Sequence, residues 1–552
     1  MRLIGLILFP LCVFAAPSFT THDDVNTIKN SFKVAYAMSD LKKVNYNWEI
    51  NDQIASINQE LGNIQSVKNA QKLLKKLFQS TKDYHCSVVF ASTESATLPI
   101  KVKGVDSRYF LTWVDRKKLS TWSFPYKEGD EITHFDGKPM DAIVKELIES
   151  DTPNANYPTD RLLAENMLTH RIGMLGMEVP QGAVTITVKP KNSSKTAKVN
   201  LQWEYHPELI KDVVRGYYPP KVSAKPENRW NNLKIMQKDL KVPFASYIAG
   251  EDKEAFGSKN GFLPKLGKVV YEFTGTNNFF NAYIFEAPNK ARVGYIRIAT
   301  FMAEEEALKE FQHIISIMEK DTKALVIDQM NNLGGNTFFL YSVLSHLAIN
   351  PIYMNKHRMA VSQEEVLEAV ISLEELELIE NDEEAQIVFG DYFHGMKVDY
   401  SFVQSFKGYF KSFIDVWEQG DIITEPKGLF GIDYINPHQN HYSKPILCLI
   451  NPMDLSCADF FPAILQDNKR ATLLGQRTAG AGGAVYTDKF KNRSGILLYS
   501  YTVTKAERLN GEPIENKGAA PDIEVPFTVE DMQNNYSHFV GEINKALINL
   551  MK

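Results

Sequence analysis

"KALVIDQMNNLGGNTFFLYSVLSHLA", residues 323–348, reads as a strand, a glycine turn and a helix. Its first residues form a near-continuous apolar run, as expected of a strand covered on both faces. The chain then turns through Gly334-Gly335 into a helix. The flanking segments repeat the pattern. "ARVGYIRIATF" from 291 is a strand, and "AEEEALKEFQHIISIMEK" an amphipathic helix with acids early and Lys320 at its end. "KPILCLI" from 444 is again a buried strand, leading through "NPMDL" and Ser456 into a helix and then to the strand "ATLLGQRT". Between these units, residues 360–420 are mostly helical, opened by a capping box from Ser362 to Glu365. Strand–helix–strand repetition implies an α/β fold with a parallel or mixed sheet and right-handed crossovers.

Upstream the periodicities differ. Residues 24–80 are helical, and "VKNAQKLLKKLFQS" puts Ala70, Leu73, Leu74 and Leu77 on one face. The pattern switches to a strand at "KDYHCSVVF". Residues 97–204 read mainly as strands with one clear helix. Within them, "EGDEITHFDGKPMDAIVKELIES" is a strand, a tight Asp-Gly turn and an amphipathic helix from about Asp141. This arrangement resembles a PDZ domain of exported proteases. Residues 222–265 are polar and punctuated by Gly and Pro, and read as a linker or exposed loop.

The composition is that of a globular protein of several domains, 44% hydrophobic and 23% charged. A formal charge of -6 without a Lys/Arg cluster argues against a nucleic-acid surface. The N-terminus, "MRLIGLILFPLCVFAAPSFT", has Arg2, an apolar run from Leu3 to Phe14 and small residues at Ala15-Ala16. It reads as a cleavable export signal, too short to span a bilayer. No later segment has the unbroken apolar length for stable membrane insertion. Removal of the signal leaves Cys86, Cys448 and Cys457, too few for a disulfide framework.

Ser456 and Cys457 lie between a buried strand and a helix, where unpaired N–H groups and the helix dipole favour an oxyanion. The same residues fit a bland reading: Ser456-x-x-Asp459 is a capping-box pattern, and a free cysteine packs as a small hydrophobe. A base has to come from elsewhere in the chain. His85 at the helix-to-strand junction is one candidate; a structural histidine is the alternative. His438 and His441 sit in a solvated loop. No metal-binding spacing occurs, and "RTAGAGG" (477–483) lacks the ending of a P-loop, so neither a metal nor a nucleotide cofactor is expected.

Taken together, "GYIRI" (294), "DQMNNLGGN" (328), "LSCADFF" (455), "GQRTAGAGG" (475) and "GAAPDIEV" (518) resemble, in order, the motifs of the tail-specific (C-terminal processing) serine proteases. Two departures stand out. Met330 replaces an arginine of "DLRNN", and Ala481 stands where the family's serine–lysine dyad has its lysine. A serine without a base is a poor nucleophile. Similarity to a branch of the family that lacks the lysine implies a Ser-His-Glu triad: Ser456 as nucleophile, His85 as base and Glu515 orienting it. The Cys457 N–H with that of Gly334 or Gly335 would form the oxyanion hole. The resemblance further implies a crotonase-like core, protein or peptide substrates, a zymogen blocked by an internal segment until autocleavage, and a homodimer afterwards. The expected division is a signal at 1–16, a helical segment at 17–96 and a PDZ-like domain at 97–210. A linker and candidate inhibitory segment follows at 211–270, then the protease core at 271–552. A cysteine hydrolase using Cys457, or an inactive peptide-binding protein, are the alternatives.

Overall fold

A computed structural model describes residues 22–209, 253–274, 279–393 and 396–552, apart from 63, 65 and 304. The expected signal, and residues 211–252 of the expected linker, lie outside this set. The centre is a seven-stranded sheet in the order Lys268–Glu272, Asn281–Glu286, Arg292–Arg297, Ala324–Asp328, Ile446–Ile450, Thr472–Gly475, Ile523–Glu524. The first two junctions are antiparallel and the other four parallel. Alternate residues explain why its strands are apolar throughout. Leu325, Ile327, Cys448, Ile450 and Leu473 pack on one side with residues of helices Glu305–Asp321, Thr337–Leu347 and Cys457–Asp467. Val326, Leu447, Leu449 and Leu474 face the opposite side, under helix Ser537–Leu550. The parallel strands all point the same way, so the turns leaving them collect at one edge, where α/β sites form.

The PDZ-like region builds a separate sheet from Ile100–Val105, Arg108–Val114, Glu131–Phe135, Ala183–Lys189 and Ala197–Gln202. Its Asp-Gly turn is made by Asp136 and Gly137, both at positive φ (49° and 78°). Beside helix Met140–Asp151 stands a second helix, Tyr157–Met167, which the strand-dominated reading of this region leaves out. Its buried residues interleave Asp160, Glu165 and Asn166 with Leu163, Ala164 and Met167, so its apolar stripe is interrupted by polar groups.

The N-terminal helices are not a detached unit. The strand that follows them, Ser87–Phe90, pairs antiparallel with Ile496–Thr502 of the core, with Ser87 opposite Ser500. The expected linker is also too long. Its described end, 253–266, buries Phe256, Phe262 and Leu266. Phe262 lies against Phe527 and Tyr536, and the Lys103 ammonium sits 4.0 Å from its ring centre. Aromatic anchors spaced among polar and glycine residues fix this stretch, where composition alone suggests solvent. Among the described residues, no helix is long and apolar enough to cross a membrane.

Candidate active site

Strand Ile446–Ile450 ends in a turn whose polar groups are tied to the neighbouring strand end. The Asn451 side-chain oxygen accepts from Asn331 N (2.9 Å), and Leu455 N donates to Asn332 O (3.0 Å). Ser456 then takes φ 60° and ψ −121°. For a residue with a side chain this backbone costs about 1–3 kcal/mol and persists only where its surroundings enforce it. A strained serine on a strand-to-helix turn is the geometry of a nucleophile elbow. The capping role open to Ser456 is half realised. Its N–H donates to Asp459 (3.0 Å), but its hydroxyl makes no cap hydrogen bond. The hydroxyl is buried and has no partner among the described residues.

Helix Cys457–Asp467 starts directly after it. The thiol of Cys457 donates to Gly335 O (3.1 Å), and burial pushes its pKa up to about 12. It is a protonated packing group, which counts against a cysteine nucleophile. The two glycines expected at the oxyanion hole divide. Gly334 (φ 89°) lies so close to Ser456 that a Cβ there would stand 2.7 Å from the serine Cβ and 3.1 Å from Cys457 N. Its own N–H, however, donates to the side chain of Asn332 (2.8 Å) and is not available as a donor to an oxyanion. Among the described residues, neither the Gly335 nor the Cys457 N–H donates to a backbone carbonyl. Of the two glycines, Gly335 is thus the one whose N–H is left for the role expected beside Cys457, and Gly334 packs against the serine.

The missing arginine at Met330 has a visible counterpart. Arg297, from "GYIRI", donates to Met330 O (3.0 Å) and Ser258 O (2.7 Å) and pairs with Asp328 (3.1 Å).

Asp459 links the serine turn to the glycine loop, accepting from Gly480 N and Ala481 N at 2.8 Å each. Burial raises its carboxyl to about 7, against these donors. Ala481, where relatives have the lysine, is buried among Met453, Leu455 and Ala479. One residue on, Gly482 N donates to Glu515 (2.9 Å).

The base region lies on the far side of this loop. His85 is buried, its carbonyl accepting from Ser500 Oγ (2.6 Å) and its N–H donating to Asp83 (2.8 Å). Both ring nitrogens are buried without a hydrogen-bond partner among the described residues, so the ring is hydrogen-bonded to neither Ser456 nor Glu515. Burial lowers its pKa to about 4; Asp83 opposes this and Lys42 adds to it. The expected Glu515–His85 hydrogen bond is not formed. Instead one oxygen of Glu515 takes the ammonium of Lys42 and the other Gly482 N. Burial and Asp83 raise the Glu515 carboxyl to about 7 while Lys42 opposes them. Asp83, in turn, accepts from Thr502 Oγ1 (2.8 Å) and Tyr36 (3.1 Å). Between Ser456 and His85 lies a buried chain of contacts through Asp459, the loop 480–482, Glu515 and Lys42, with Asp83 beside the Lys42 charge. Lys42 and Asp83 are absent from the sequence reading, and Asp459 enters it only as a capping residue. His438 and His441 lie at the other end of the helix whose first turn faces Ser456, since His438 N bonds Ser345 O (2.9 Å).

Residues 94–213 match the PDZ domain family, and residues 292–525 match peptidase family S41. An uncharacterized protein of Chlamydia muridarum is 33% identical over 565 residues, covering 96% of this chain and 92% of its own. The structure of mature chlamydial protease-like activity factor (CPAF) complexed with lactacystin superposes at a TM-score of 0.82 with 31% identity. That match covers 96% of this chain and 98% of the CPAF chain. A tail-specific protease of Haemophilus influenzae is 29% identical over 94 residues, 16% of this chain and 14% of its own.

Proposed function

The chain belongs to peptidase family S41 and is a serine-type peptidase of the tail-specific kind, and on that premise we propose an exported endopeptidase in which Ser456 is the nucleophile and His85 its base. The observation that carries the assignment is the strained Ser456 at the strand-to-helix turn, its buried hydroxyl without a hydrogen-bond partner among the described residues; the Cys457 and Gly335 N–H groups, which donate to no backbone carbonyl, supply the oxyanion hole in this reading. In the reaction the Ser456 Oγ bonds to the scissile carbonyl carbon while His85 takes its proton. The negative oxygen is held by the two N–H groups. Collapse breaks the C–N bond, His85 protonates the departing amine, and water hydrolyses the acyl-enzyme by the same path in reverse order. Glu515, as a carboxylate, supports the imidazolium.

The disengaged ring of His85 favours a precursor whose base closes on the serine after cleavage within 222–265, followed by pairing of two processed chains. Unengaged catalytic hydrogen bonds also occur in ligand-free enzymes and tighten with substrate. Substrates are proteins or peptides, and the leader at 1–16 directs export.

Labelling by a fluorophosphonate probe, with peptide hydrolysis and self-cleavage measured alongside, tests the assignment. Ser456→Ala is expected to abolish all three, and Cys457→Ala to keep most of each. The reverse pattern would overturn it. Sequencing of fragment ends after incubation tests the processing; full activity with cuts only outside 222–265 removes that part.

A further inference from the structure

Helix Ser39–Tyr46 buries one residue, and it is a lysine. Its neighbours Val44 and Tyr46 are exposed and Leu41 only partly buried against the N-terminal core, so the one fully buried anchor of this helix is the Lys42 side chain. That ammonium has three N–H bonds to give, and all three are given inside the protein. They go to Glu515, to the side-chain oxygen of Asn516 (2.7 Å) and to Lys82 O (2.8 Å). Both acceptor residues beside Glu515 hold left-handed backbone, Lys82 at φ 52° and Asn516 at φ 58°. The Asn516 amide also donates to the same Lys82 carbonyl (2.8 Å), closing a ring of contacts around the ammonium. A lysine with every proton donated, and no free lone pair, is not a base.

The charges explain its use. Glu515, Asp83, His85 and the Cys86 thiol face Lys42 from the two chain segments packed on its helix, with Tyr36 and Tyr46 from its own side. Two buried carboxylates and one ammonium leave a single negative charge, which an imidazolium at His85 neutralises. Without the ammonium, two like charges would share the site, and one carboxylate would bind the proton meant for His85.

Building on the Ser456–His85 assignment, we propose that Lys42 is a positioning residue for the reaction: it holds Glu515 in place as a carboxylate, so that the N-terminal helix supplies a charge on which the serine site depends. Its opposition to the raised Glu515 pKa fits this.

The test is a double-mutant cycle in the purified protein, read as kcat/KM and probe-labelling rate from pH 5 to 10. Lys42→Met is expected to move the acid limb of the profile upward by about one pH unit or more, while Lys42→Arg keeps the wild-type midpoint. Lys42→Met in a Glu515→Gln background is expected to cost no further activity, because Lys42 acts only through Glu515. An unchanged pH profile in Lys42→Met overturns the proposal. So does a folded Lys42→Met protein that labels at no pH, since Lys42 would then act on the serine itself. If the single variant does not fold, the double variant decides: activity more than about tenfold below Glu515→Gln alone overturns the proposal. Ser456→Ala run in parallel separates these outcomes from failure of the serine assignment, because only the latter leaves its labelling intact.

Discussion

The two halves of the site are built in different ways. Around Ser456 the restraints are mostly backbone and amide: the strained turn, the close-packed Gly334 and the Asn331–Asn451 ties, with the buried Asp459 carboxyl holding the Ser456 N–H. None of these groups has to gain or lose charge in the reaction. Around His85 stand three charged groups, Asp83 two residues away and Lys42 and Glu515 from distant segments, and the imidazole itself is hydrogen-bonded to none of them. The difference teaches where control resides. An oxyanion hole needs only fixed dipoles, whereas a base must change charge, and a buried charge can be supported or withheld by one neighbour.

The comparison can be broken on the serine side first. Gly335→Ala places a Cβ 2.2 Å from the Phe301 carbonyl carbon, so the loop must shift and its N–H with it. Loss of one oxyanion donor lowers kcat by roughly 10²–10³-fold with KM little changed; near-wild-type kcat would remove Gly335 from the hole.

On the base side, Glu515→Gln is expected to lower kcat/KM by about 10²-fold. The pH dependence is the sharper reading. The Glu515 carboxyl is raised to about 7, chiefly by burial. The supporting form is the ionised one, so wild-type activity rises as pH passes upward through about 7. Glu515→Gln has no group to ionise there, and its profile should lose that inflection. An inflection that persists in the variant assigns it to another group.

The smallest effect concerns the joint between the halves. Asp459→Asn presents an NH₂ to backbone N–H groups that now have carboxylate oxygens, at a cost of about 1–3 kcal/mol, read as a lower Tm. A variant as stable as wild type would mean that the glycine loop is held mainly by its other contacts, such as Asn516 N to Gly480 O (2.8 Å).

Much of this was legible in the sequence, and the exceptions have a common cause. Apolar periodicity found the strands from Arg292 to Gly475 and the helices between them, because burying those faces is what makes the elements. Position between strand and helix left Ser456 open to a capping role, and only the family motifs around it pointed to a nucleophile; His85 and Glu515 entered through resemblance alone, and no hydrogen bond joins either to the serine. Lys42 was not, since a lysine in "SDLKKVNY" looks like solvent-facing charge until Glu515 is brought opposite it, 473 residues along the chain. Helix Tyr157–Met167 escaped for a related reason, its buried residues mixing Asp160, Glu165 and Asn166 with Leu163, Ala164 and Met167. The division of Gly334 from Gly335 was equally hidden, because it depends on which N–H the Asn332 side chain captures.

The pairing of Ser87–Phe90 with Ile496–Thr502 also sets a timetable. Ser87 and Ser500 are 413 residues apart, and at ~5–20 residues per second a ribosome takes roughly 20–80 s to make that interval. Throughout it the segment carrying the base has no strand to dock on, while the sheet that carries the nucleophile is still being made. Until Ile496–Thr502 has been made, His85 has no native strand to lie beside, so the order of strands alone delays assembly of this part of the fold.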